Sequence, residues 1–127
     1  MKLVPAIAVI SLLAFGSHAS AQTALIDLYN NTVVDLCVEG QSKGSCQEIL
    51  SKRSGEVHIR SIQWIQFGKK MFRYNVPRTF LKPGLRLQAE SDGNLYLLPD
   101  NVPLPASVLP KQPLGFPLTP TRRVNLT

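Results

Sequence analysis

The chain has 127 residues and a net charge of +6, from 14 basic and 8 acidic side chains. That length fits one small domain and excludes large multi-domain machinery. With two cysteines and two histidines, a metal site of the usual ligand spacing is not expected. A positive balance of this size keeps a protein in solution and favours anionic partners such as acidic glycans or lipid headgroups.

Met1-Lys2 supplies one charge, an apolar run follows from Leu3 to Phe15, and Ala19-Ser20-Ala21 ends the segment on a small-x-small pattern. This layout predicts a secretory signal peptide over 1–21, cleaved before Gln22. The run is shorter than the roughly 20 residues that span a bilayer, and Pro5 weakens it further, so no transmembrane anchor is expected. The mature protein is therefore expected in the periplasm or secreted. In that setting Cys37 and Cys46 predict a disulfide. The residues between them are polar and carry Gly40 and Gly44, so the segment can fold back. Closing so short a loop contributes about 2–3 kcal/mol.

The mature chain reads as short strands between turn signals. Ala24–Tyr29 predicts a first strand, and Asn30-Asn31 ends it. Thr32–Val38 predicts a second, rich in β-branched residues, and Cys46–Leu50 a third. Ser51–Gly55 reads as a polar turn. Glu56–Arg60 alternates with Val57 and Ile59 inward, leaving His58 on the solvent side. Ile62–Phe67 keeps the apolar alternation only if its phase slips by one residue, as at a β-bulge. Gly68-Lys69-Lys70 turns the chain into Met71–Val76, with Phe72 and Tyr74 on one face, and Pro77 ends that strand. Leu85–Glu90 and Asn94–Leu98 flank Asp92-Gly93, a type I′ hairpin signal. About seven strands at this spacing predict an all-β fold, a small antiparallel β-sandwich over 22–98.

From Pro99 on, seven prolines interrupt the chain and predict an extended proline-rich C-terminal arm over 99–127. Its large apolar residues, above all Leu114, Phe116 and Leu118, predict that it lies in an apolar groove of its own sheet or of a partner. Residues 122–127 read as loose.

Candidate chemistry is sparse. His58 is the one histidine after the signal, and no nucleophile motif accompanies it. The carboxylates are scattered, and the glycines stand singly rather than in a phosphate-cradling loop. The sequence therefore points away from an enzyme, with no catalytic, cofactor or metal residues and no cofactor. Asn30-Asn31-Thr32 and Asn125-Leu126-Thr127 match the N-glycosylation pattern, but the signal is of bacterial type and both are read as chance. The expected function is an exported, non-enzymatic interaction module with a protein partner. Its alternative is a binder of anionic glycan or lipid through Trp64, Lys69, Lys70 and Arg73, where aromatic and cationic side chains interleave. Export argues against nucleic acid as the partner.

Overall fold

A computed structural model describes residues 23–40, 42, 44–99 and 102–126; the expected signal peptide lies outside them. Nine strands run through the described residues: β1 (Thr23–Asn30), β2 (Leu36–Glu39), β3 (Cys46–Ile49), β4 (Ser54–Arg60), β5 (Ile62–Phe67), β6 (Lys70–Asn75), β7 (Arg86–Ala89), β8 (Leu95–Leu97) and β9 (Arg122–Asn125). They form two facing sheets, ordered β4-β1-β7-β8 and β3-β2-β5-β6-β9. The all-β sandwich expected from the alternating pattern is the fold. Among the described residues no helix is long and apolar enough to cross a membrane.

Period-two alternation builds the core, because successive side chains point to opposite faces of a strand. Ile26 and Leu28 from β1, Val57 and Ile59 from β4, and Leu87 from β7 face Leu36, Val38, Ile65, Phe72 and Tyr74 across the sandwich, all buried. Phe67 and Phe72 pack ring on ring, with centroids 4.9 Å apart. Cys37 and Cys46 are joined as expected, diagonally across the β2–β3 ladder, with Cα atoms 5.5 Å apart.

Four local expectations change. β2 begins at Leu36, not Thr32, because buried Asn30 and Thr32 capture the backbone that would otherwise extend it. Asn30 Nδ2 donates to the Val34 carbonyl at 2.8 Å and to the Ile49 carbonyl at 3.0 Å. Its Oδ1 accepts from the Thr32 hydroxyl and amide at 2.6 and 3.0 Å. Side chains that bond to nearby backbone in this way favour turns over strands. Second, β4 passes into β5 without a phase slip. Val57, Ile59, Gln63, Ile65 and Phe67 all face inward, while the chain crosses from one sheet to the other at Ser61. Buried Gln63 makes this possible: its amide accepts the Arg60 N–H and donates to the Glu39 and Trp64 carbonyls.

Third, β7 lies parallel to β1, so among the described residues the strand pairs are antiparallel except at this one. The long stretch between the two strands supplies the crossover that parallel pairing needs. Fourth, the β7–β8 turn places only Gly93 at positive φ, 88°, and closes with a Gly93 N–H to Glu90 carbonyl bond of 2.9 Å. That is a turn with a glycine bulge rather than the two-residue type I′ form. Glycine is required there twice over, since a Cβ would stand 2.8 Å from the Phe72 ring.

The proline-rich segment belongs to the sandwich. Phe116 and Leu118 are buried in the core, and Phe116 packs on Phe80 with centroids 4.5 Å apart. Leu118 exchanges two backbone bonds with Leu95 at the open edge of β8. Residues 122–125, read as loose, form β9 on the edge of β6. The segment thus closes one side of the sandwich, pairing first with one sheet and then with the other. Proline has no N–H to offer, and glutamine side chains replace the missing ladder. Gln112 accepts from the Leu97 amide at 2.7 Å and donates to its carbonyl at 3.1 Å. Buried Gln88 clamps Leu104 in the same two-bond manner.

Tyr74 ties the two sheets together. Its buried hydroxyl donates to the Gly93 carbonyl at 2.7 Å, and burial pushes its pKa far above the ordinary 10.0. Above pH 10 the unfolded chain loses this proton while the folded chain keeps it, so the folded state binds more protons and stability falls as pH rises. Tyr74→Phe is expected to cost about 1 kcal/mol at neutral pH through the lost hydrogen bond. Above pH 10 the gap between wild type and variant should close by about 1.4 kcal/mol per pH unit. Urea unfolding at stepped pH measures both, and a gap that stays constant to pH 11 would contradict this assignment.

Candidate functional site

The seven residues singled out from sequence do not form one site. Trp64 and Arg73 lie on the outer face of the five-stranded sheet and are register partners across β5 and β6. Trp64 faces outward because Gln63 takes the inward position beside it; both residues are fixed by the corner at Ser61. Lys69 and Lys70 sit at the β5–β6 turn, at the end of the sandwich, where they line a groove of about 250 Å³ with Val33, Val34 and buried Phe72. Val33 at the rim is 87% exposed. Leu114 tops the tight turn Pro113–Phe116 and is 97% exposed. Phe116 and Leu118 are core residues and are not available to a partner.

The sequence reading missed Arg122. Assigned to a loose terminus, it sits on β9 directly opposite Arg73, giving an outward row of Trp64, Arg73 and Arg122. In the adjoining row Gln66 pairs with Met71 and Met71 with Val124. The face therefore interleaves Trp64, Met71 and Val124 with Gln66 and with two arginines that are paired across the β6–β9 ladder. Like charges directly opposite in a ladder are unfavourable, and neither arginine has an ion-pair partner among the described residues. Glu39, on the same face, is engaged by Arg60 at 2.6 Å. The Arg73 Nε is buried without a hydrogen-bond partner. Arg123 next to it turns inward, its guanidinium 5.2 Å from the centre of the Phe72 ring.

A second cleft, of about 220 Å³, lies on the outer face of the four-stranded sheet between Tyr29, Arg86 and Pro103. It sets the carboxylate of Asp27 among Lys52, Arg53 and Arg86; Lys52 donates to Asn31 Oδ1 at 2.8 Å, and Arg86 is also engaged. Unlike the outer face of the five-stranded sheet, this cleft already holds an acid beside its cations. His58 is exposed on the outer side of β4, opposite Leu25. Among the described residues no three His, Cys, Asp or Glu side chains converge on a point where a metal ion could bind.

Comparison with known proteins finds no match: no family model, no curated protein and no solved structure aligns with the chain.

Proposed function

We propose that this is a non-enzymatic, exported binding module that holds an acidic glycan on the outer face of its five-stranded sheet. The observation that carries the reading is the Arg73–Arg122 pair. Two like charges opposite one another without an acid between them cost stability, and a bound carboxylate or phosphate removes that cost. Each guanidinium presents a planar fork that fits such a group bidentately. Trp64, next in the row, supplies a flat aromatic surface for the apolar side of a sugar ring. The Cys37–Cys46 bridge supports an oxidising destination, periplasmic or extracellular.

Arg122→Glu separates this role from a structural one. The introduced carboxylate would pair with Arg73 across the ladder, so the fold should gain up to about 1 kcal/mol. Binding to an immobilised acidic polysaccharide should fall by at least roughly tenfold, the scale of one lost charge-assisted contact. The wild-type interaction should also weaken steeply with salt. Retention of binding by the stabilised variant would rule the face out. Capture by anionic lipid vesicles but not by polysaccharide would move the ligand to a headgroup.

A further inference from the structure

A different part of the molecule carries a second interaction surface. Each sheet edge but one is short or covered. β8 is capped by Leu118, and β9 and β3 have four residues each. β4 runs for seven residues, Ser54–Arg60, with no proline or lysine and, among the described residues, no strand on its outer side. Proteins normally protect edges of that length, because the unpaired backbone templates another strand.

The ladder phase shows which groups are free. The Asn30 N–H donates to the Arg53 carbonyl at 2.8 Å, and bonding alternates along an antiparallel pair. Gly55, Val57 and Ile59 therefore bond to β1, while Ser54, Glu56 and His58 turn their amides and carbonyls outward. The Arg60 N–H is already taken by Gln63. Beside this edge an open groove of about 440 Å³ runs between β4 and the stretch that carries Gly40, Ser45 and Gln47.

We infer that the occupant is β4 of a second copy, paired antiparallel about a two-fold axis through Val57. In that register Glu56 faces the partner's His58, and Ser54 faces the partner's Arg60. Inward, Val57 meets its own copy and Gly55 meets the partner's Ile59. Both free backbone pairs then bond. Sliding by one pair toward the start of the strand sets Glu56 against itself. Sliding the other way shortens the overlap and sets Glu56 against the partner's Arg60, whose guanidinium is already held by Glu39 and whose N–H is taken by Gln63. Overlap, free backbone groups and charge together select the register through Val57. Extending the sheet across the two copies covers a small area, so the dimer is weak, with a Kd on the order of 0.1 mM.

Sedimentation equilibrium of the purified chain from roughly 10 µM to 1 mM tests this. A monomer–dimer equilibrium is expected. Glu56→Lys and His58→Glu should each weaken it, by roughly fivefold, because each sets like charges opposite, or removes an attraction, twice per dimer. The double variant carrying both changes should restore association to near the wild-type level, since the introduced ammonium of one copy then faces the introduced carboxylate of the other. Both positions are exposed, and the introduced lysine would face Asp27 across the β1–β4 ladder, so thermal unfolding should show no loss of stability in either variant and serves as the folding control. A monomer at every concentration, a dimer indifferent to the single changes, or a double variant no better than the singles would each overturn the pairing.

Discussion

A chain that ends at Leu98 is expected not to fold. Truncation there removes Phe116 and Leu118 from the core, the Leu118 cap on β8, and all of β9. Losing one large buried side chain costs about 3–5 kcal/mol for Phe and 2–5 for Leu. A domain of this size has only about 5–15 kcal/mol in total. Exposed edges of β6 and β8 would add an aggregation hazard. The single change Phe116→Ala leaves the backbone intact and is expected to cost about 3–5 kcal/mol. Circular dichroism of the truncated chain and denaturant unfolding of Phe116→Ala check the two statements. A folded, monomeric truncated chain would mean that residues 99–126 are an appendage after all.

Asn30→Ala should be nearly as severe. Asn30 is fully buried, and its amide group serves two carbonyls, one N–H and one hydroxyl. Each buried partner left without a bond costs about 1–3 kcal/mol, so about 3–4 kcal/mol is expected after local relaxation. The comparison with Asn30→Asp is the sharper test. Aspartate has almost the same shape, but it sets a carboxylate against the Val34 and Ile49 carbonyls. It should lose at least as much stability as alanine does. If denaturant unfolding shows Asp tolerated within about 1 kcal/mol, the packing of the side chain matters and its hydrogen bonds do not.

These two sites mark where the sequence could be read and where it could not. Strands such as β1 and β4 were legible because alternation reports burial on one face directly. The Cys37–Cys46 bridge was legible because two cysteines offer one pairing. Thr32–Val34 misled because β-branched residues favour strands on average, whereas the local bonds of Asn30 win at this position. Trp64 faces outward for a reason the sequence did not show: the inward position goes to Gln63, whose amide satisfies three backbone groups at the corner between sheets. A buried polar residue at a corner leaves no periodic signal.

The C-terminal segment was the largest loss. Prolines correctly announced an extended backbone, and Phe116 and Leu118 an apolar seat. Nothing in the composition, however, reveals that Gln88 and Gln112 stand in for the missing N–H donors, or that a short run after the last proline pairs with β6. Arg122 was lost with that strand, and with it the pairing that gives the outer face its character. Lys69 and Lys70 were near Arg73 in the chain, but the hairpin turn carries them to the end of the sandwich. Adjacency in sequence was a poor guide to which cations share a surface.

The most direct test of the proposed role uses the protein's one tryptophan, which stands beside the arginine pair. Its emission should be followed while a soluble acidic polysaccharide is added at low salt, with a neutral polysaccharide of similar size as the comparison. A saturable change in Trp64 emission is expected with the acidic polymer alone, reversed by salt and absent in Arg122→Glu. An unchanged spectrum at saturating polymer, or the same change with the neutral one, would contradict it.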